Sequence, residues 1–176
     1  MKIGFKFNQA KLKRFVDEWF ESIINKTVKE VEKEYENLNF KNVLIKGFYE
    51  LQNNFKWYKR RAIEMNKDVL KKFIEVQTLI LYPIVPHLAS EILEKIGKDP
   101  LNPEWPSAGE IDESAIEKEE FVKRVVEDIN EIKRILKKEK IKKIKVILPA
   151  TWKYDLFVRI KEEIEKVEKP QELMKL

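Results

Sequence analysis

The natural acid–base candidate in this sequence is its single histidine, His87. Proton transfer or nucleophilic attack would need a carboxylate, a nucleophile or a metal beside it. Glu91 stands four residues on, one helical turn away, but a His–Glu pair at that spacing is commonplace on helix surfaces. A histidine at a helix start, satisfied by local hydrogen bonds, is the plainer reading. There is no cysteine, hence no thiolate nucleophile, thiolate metal site or disulfide. The four glycines are scattered, so no glycine-rich loop cradles a phosphate. Paired acids such as Glu119 and Glu120 are expected on a solvated helix face, without a metal cluster. The chain therefore reads as a binder with no catalytic residue and no metal.

The basic residues carry more chemistry than the histidine. Lys56, Lys59, Arg60 and Arg61 fall at one helix end with Trp57 and Tyr58 between them. Helical spacing places Lys56, Lys59 and Arg60 on one flank and turns Trp57 elsewhere. Cations at this density favour a phosphate backbone through counterion release. A solvated helix end, with cations drawn to the negative end of the dipole, is the competing reading. A second, denser run comprises Lys133, Arg134, Lys137, Lys138, Lys140, Lys142, Lys143 and Lys145, opposed only by Glu139. Such a ridge would read backbone shape and not base identity. Its competing reading is again a soluble helix end.

Apolar periodicity supplies the elements that must position these cations. Leu12, Phe15, Trp19, Ile23, Thr27, Val31 and Tyr35 predict a first helix over about 9–36. Asn39 can cap a second over about 40–64, with Phe40, Leu44, Phe48, Leu51, Phe55 and Tyr58 inward and Gly47 marking a close helix contact. A third starts near Lys67, is apolar on most sides in its second half, and is expected to be the central helix. Pro83 and Pro86 end it, and Pro86 starts a fourth that Gly97 stops. The proline-rich loop 98–111 holds Trp105, which suggests that the loop is pinned back on the bundle. Helices over about 112–139 and 155–168 flank a strand over 144–148. Phe15, Trp19, Phe48, Phe55 and Phe73 belong to buried stripes, so they are not assigned to base stacking. Trp152 and Tyr154 are expected to pack against the last helix.

The fold class is therefore mainly α: an antiparallel helical bundle over residues 1–110, with a small α+β extension over 111–176. A chain of 176 residues with 43% apolar and 38% charged residues suits a genuine core under a heavily solvated, helix-rich surface. Lys and Arg number 36 against 31 Asp and Glu, so the excess is modest and its placement matters. A lone strand needs a partner. Residues 143–148 are expected to pair with 2–7, with a missing part of the protein, or with a second copy, making a dimer through the strand edge. No apolar run is long enough to span a bilayer, and MKIGFKFN lacks a signal-peptide core, so a cytoplasmic location is expected.

Several segments in this order resemble the anticodon-binding helical domain of class I aminoacyl-tRNA synthetases. Pro83-Ile84-Val85-Pro86-His87-Leu88-Ala89-Ser90-Glu91 is similar to a segment shared by the leucine, valine, isoleucine and methionine group. Trp105-Pro106 follows it, as in the group. Asp17-Glu18-Trp19, Gly47-Phe48-Tyr49-Glu50-Leu51 and Trp57-Tyr58-Lys59-Arg60-Arg61 match helices of the same domain. Val125-Val126-Glu127-Asp128-Ile129, then the basic helix end and Trp152-Lys153-Tyr154, narrow the likeness to archaeal/eukaryotic-type leucyl-tRNA synthetases. The HIGH and KMSKS signatures and the editing domain of that family are absent from this sequence.

The resemblance implies a tRNA-docking domain whose catalytic domain lies elsewhere, as in an excised fragment or one subunit of a split enzyme. It implies leucine-accepting tRNA and the catalytic domain as partners. ATP and Mg belong to the full-length enzyme, with no cofactor in this chain. In the family a further module follows the equivalent of Leu176 and helps hold the tRNA. Two other readings stand beside this one. One is a helical protein-interaction module. The other is the equivalent domain of a valyl or isoleucyl enzyme.

Overall fold

Trp19, Phe20, Ile24, Val28 and Val31 step along one face of helix α1 (Phe15–Glu36), and all are buried. The computed structural model describes residues 7–8, 14–137, 143–147 and 150–166. The two helices and the π turn over 40–61, and the helix over 67–81, pack against α1. Asn39 caps α2 (Phe40–Leu44), accepting from the Asn42 N–H at 3.4 Å. The chain continues without a break through a π-helical turn (Ile45–Glu50) into α3 (Leu51–Arg61). Asn66 caps α4 (Lys67–Leu81), accepting from the N–H groups of Asp68 and Val69 at 2.9 and 3.3 Å. Pro86 occupies the first turn of α5 (Pro86–Lys95), where its missing N–H leaves no bond unmade. Gly97, at φ +78°, ends that helix in the left-handed conformation glycine adopts without strain. Two more helices follow, α6 (Glu113–Ile135) and α7 (Thr151–Lys166).

Helix α4, expected at the centre, packs on α1, on the π turn and on α5, while α1 packs on α2, the π turn, α3 and α4, so the two helices share the centre of the bundle. Ring packing ties the layers together, with Phe20 stacked on Tyr58 at 4.7 Å and Phe55 on Phe73 at 4.5 Å. Phe15 and Phe48, expected inside, are instead partly exposed. Phe15 is the first residue of α1, and Phe48 lies in the π turn, where the wider winding shifts the helical register.

The π turn has a visible cause. Gly47 is buried where its helix meets α1 and α4, and a Cβ there would lie 2.7 Å from Ile80 Cγ2 and 3.5 Å from Val31 Cγ2. The close contact inferred for Gly47 is thus present. Gln77 Nε2 donates to the Gly47 carbonyl at 3.2 Å, and Gln52 Nε2 donates to Gln77 Oε1 at 2.6 Å. These amides satisfy polar groups that the wider turn leaves open.

A second buried polar network closes the other end. Asp17, fully buried, accepts from Arg14 N–H at 2.9 Å, from Arg14 Nε at 3.3 Å and from the Tyr58 hydroxyl at 2.5 Å. Tyr58 Oη in turn accepts the Asn66 N–H at 3.0 Å, and Arg14 Nη2 donates to the Glu64 carbonyl. Burial first, and the bond to Asp17 second, push the Tyr58 phenol well above its usual range. The native state therefore holds this proton where the unfolded chain, titrating near pH 10.0, releases it. Its stabilisation is complete below that pH, begins to be lost as pH rises past it, and goes on being lost up to the higher native value. Tyr58→Phe should lose less stability between about pH 9 and 11 than the unsubstituted protein, as urea midpoints would show. Parallel losses in the two proteins would refute this linkage. Tyr35, also raised by burial, and Lys46, raised by its bond to Glu34, are common to both and cancel.

Two strand expectations are corrected. Phe7–Asn8 (β1) pairs in parallel with Met65–Asn66 (β2), in the register Phe7 to Met65 and Asn8 to Asn66. Residues 143–147 form no strand, so the extension is not shown as α+β and no strand edge supports a dimer. Extended backbone becomes a strand only by pairing, and among the described residues 143–147 has no partner. Residues 2–6 and 148 lie outside the described residues. The chain divides into two compact units, Met1–Ile129 and Asn130–Leu176. The first takes in the start of α6, where Ala115, Ile116 and Glu119 are buried. Helix α7 begins at Thr151, so Trp152 and Tyr154 lie within it, both exposed.

Candidate nucleic-acid interface

Helix α3 ends in Lys59, Arg60 and Arg61, with Lys56 one turn earlier. Lys56, Lys59 and Arg60 are exposed, and among the described residues no carboxylate pairs with Lys56 or Arg60. The Arg60 guanidinium lies over the Trp57 ring, 5.5 Å from its centroid. Contact across one helical turn brings these two side chains together. The expectation that Trp57 faces elsewhere missed this stack.

Arg61 departs from its neighbours. Its Nε donates to Glu119 Oε1 at 2.8 Å and its Nη2 to Glu119 Oε2 at 3.4 Å. Trp57 Nε1 donates to the same Oε1 at 2.7 Å. Glu119 is 0% exposed, against the expectation of a solvated face. The pattern of charges along α6 could not reveal this. Glu119 and Glu120 are adjacent acids, and only the packing of α6 on the bundle turns one inward and leaves the other at the surface. A buried carboxylate is tolerated because its acceptor sites are filled by an indole and a guanidinium. Arg61 is thereby ion-paired, with its side chain still 38% exposed.

The second basic run lies in the unit Asn130–Leu176. Lys133, Arg134, Lys137, Lys143 and Lys145 are placed at or near the surface there, and Arg134 Nη2 reaches Glu131 at 3.5 Å. Lys138, Lys140 and Lys142 lie outside the described residues. Lys137 sits at φ 50°, just past the end of α6, so the run is broken by a turn and does not continue one helical face. Lys153 lies over the Trp152 ring at 5.6 Å.

His87 is exposed in the first turn of α5, and Glu91 is engaged by Lys95 at 2.6 Å. That bond holds the Glu91 carboxyl below its ordinary range. A hollow of about 630 Å³ lies beside α1, lined by Glu18, Glu21, Asn25, Glu110, Asp112 and Glu113 among others. Its carboxylates disfavour a polyanion there. Among the described residues no three His, Asp or Glu side chains converge as a metal site would. No described helix is long and apolar enough to cross a membrane.

Trp105 is pinned as its sequence context suggested, edge-on to Tyr35 at 5.5 Å. Farther along the same loop, Asn25 Nδ2 donates to the Glu110 carbonyl at 2.6 Å, and the Asp112 N–H donates to Ser22 Oγ at 3.1 Å. The loop is thereby laid along α1, and it delivers α6, with Glu119, to the end of α3.

This defines a helical domain that carries most of its charge on outer faces and buries the acids Asp17 and Glu119 where they brace neighbouring helices. Residues 17–148 match the anticodon-binding domain of tRNA ligase, and the chain belongs to that family. It is 39% identical over 149 residues to leucine–tRNA ligase of Aeropyrum pernix, a match covering 80% of this chain and 15% of that protein. It is 38% identical over 139 residues to the cytoplasmic leucine–tRNA ligase of Dictyostelium discoideum, covering 78% of this chain and 13% of that one. A leucine–tRNA ligase of Methanococcus maripaludis is 36% identical over 156 residues, 86% of this chain and 16% of that protein. The likeness to the archaeal and eukaryotic leucyl enzymes read from the sequence is borne out. The chain spans only about a sixth of the length of these curated relatives.

Proposed function

We propose that this chain docks leucine-accepting tRNA and positions it for leucylation by a catalytic domain outside this sequence. The observation that carries the reading is the exposed group Lys56, Lys59 and Arg60 at the end of α3, in a chain whose relatives are leucine–tRNA ligases. Ammonium and guanidinium groups held on one helix end meet successive phosphates, and the bound counterions they release supply the affinity. The bundle makes and breaks no bond. ATP is used by the ligase as a whole. The cations at 133–145 add a second backbone contact in this scheme, and Arg61 acts as a brace through its ion pair with Glu119.

The test is a titration with leucine-accepting tRNA and with a short-armed tRNA, each at two salt concentrations. Replacing Lys56, Lys59 and Arg60 together by Glu should weaken binding at least about a hundredfold at low salt. The slope of affinity against salt should fall by about three. Preference for the leucine tRNA would place part of its recognition inside this chain. Equal, salt-insensitive binding by both proteins would remove the reading.

A second reading, a surface for another protein, has its own observation. Phe40, Leu44, Phe48 and Tyr49 are all exposed on the segment 40–49. An apolar face of this kind suits contact with protein. Absence of RNA binding at low salt would move the function there.

A further inference from the structure

We propose that Glu119 is a positioning residue for RNA contact: it holds Trp57 so that Arg60, drawn over the indole, meets a phosphate with its guanidinium already oriented. This rests on the tRNA-docking reading above and assigns the working part of that surface.

Glu119 is fully buried and is the shared acceptor for the Trp57 indole N–H, at 2.7 Å, and the Arg61 Nε, at 2.8 Å. It reaches both across a large sequence separation, from α6 to α3, so it fixes side chains of one helix from another. The bond from the indole N–H to Glu119 restrains the ring about its own torsions. Arg60 Cζ then lies over a restrained ring, 5.5 Å from its centroid. A guanidinium over an indole uses its face for that contact and keeps its in-plane N–H groups for oxygen acceptors. Ordering a rotamer-rich side chain before the ligand arrives reduces the entropy lost on binding. Arg61, paired to the same carboxylate, serves as the second anchor.

Charge alone predicts the opposite behaviour. Removing Glu119 deletes a negative group beside the patch and releases the Arg61 cation. By electrostatics the Glu119→Ala protein should bind RNA more tightly. By positioning it should bind more weakly, because Trp57 and Arg60 lose their fixed geometry.

The experiment measures affinity for leucine-accepting tRNA at two salt concentrations. It compares the unsubstituted chain with Arg60→Ala, Glu119→Ala, Glu119→Gln, Trp57→Phe and the Glu119→Ala/Arg60→Ala double variant. Arg60→Ala should weaken binding about tenfold and lower the salt slope by about one. Glu119→Ala should weaken binding by nearly as much, and the double variant should be no weaker than Arg60→Ala by more than about twofold. Glu119→Gln, which keeps an acceptor oxygen, should recover most of the loss. Trp57→Phe keeps a ring and drops the N–H; it should reproduce the Glu119→Ala defect and serves if that variant fails to fold. Multiplying penalties in the double variant, or tighter binding by a folded Glu119→Ala, would overturn the inference and leave the docking reading intact. If Glu119→Ala does not fold, unchanged affinity in Trp57→Phe overturns it in the same way. No binding by the unsubstituted chain at low salt would overturn both.

Discussion

Asp17→Ala should lower the stability of the bundle by about 3 kcal/mol, the cost of stranding buried partners of a carboxylate. Three donors converge on this side chain: the Arg14 N–H at 2.9 Å, Arg14 Nε at 3.3 Å and the Tyr58 hydroxyl at 2.5 Å. Arg14 is partly exposed, so its guanidinium can turn to water and contributes little of the loss. The Tyr58 hydroxyl is fully buried and has no such recourse. It also accepts the Asn66 N–H, the residue that caps α4 and pairs with β1. Removing the carboxylate therefore loosens the starts of α1 and α4 and the end of α3 at once. Asp17→Asn keeps an acceptor for Tyr58 and should lose only about 1–2 kcal/mol. Urea unfolding of the two variants beside the parent decides the matter. A loss below about 1 kcal/mol in Asp17→Ala would show that water replaces the carboxylate without penalty.

Gly47→Ala should cost about 2 kcal/mol, although alanine is the better helix former by about 1 kcal/mol. The added methyl would sit 2.7 Å from Ile80 Cγ2, a side chain with no exposed surface and no room to yield. The helix would have to withdraw from α4, and the bond from Gln77 to the Gly47 carbonyl would lengthen with it. Ile80→Ala alone leaves a cavity and should cost about 2–4 kcal/mol. In the double variant the new methyl occupies part of that cavity, so the combined loss should fall short of the sum by at least about 1 kcal/mol. Additive losses would mean that the two positions do not compete for the same space. A neutral Gly47→Ala would assign the glycine to nothing more than the π turn.

Much of the helical order was legible because it rests on local signals. The 3.6-residue period over 15–36, the cap at Asn39, the proline at 86 and the glycine at 97 act within a turn or two of themselves, and each stands where the sequence put it. The end of α4 and the start of α5 around Pro83 and Pro86 follow from missing N–H groups, which no tertiary contact can restore. The π turn was not legible, since it depends on how closely α1 and α4 approach Gly47. The strand expected at 144–148 failed for a related reason: alternation proposes a strand, and a partner decides it.

The candidate site divides along the same line. Its membership of a cation-rich helix end at Lys56, Lys59, Arg60 and Arg61 was set by sequence, because the residues are neighbours on one short segment. Their separate duties were not. Arg60 and Arg61 are adjacent and chemically identical, yet one lies on Trp57 and the other pairs with Glu119, 58 residues away in the chain. The sequence by itself determined the helical class, the helix ends, the density of positive charge and the family likeness. Each of these is local or compositional. The tertiary structure alone decided which acid is buried, which arginine is ion-paired to it and which lies over Trp57. Those outcomes depend on long-range packing of α6 against α3, and the low polarity of the interior makes a buried acid take whichever donors that packing brings within reach.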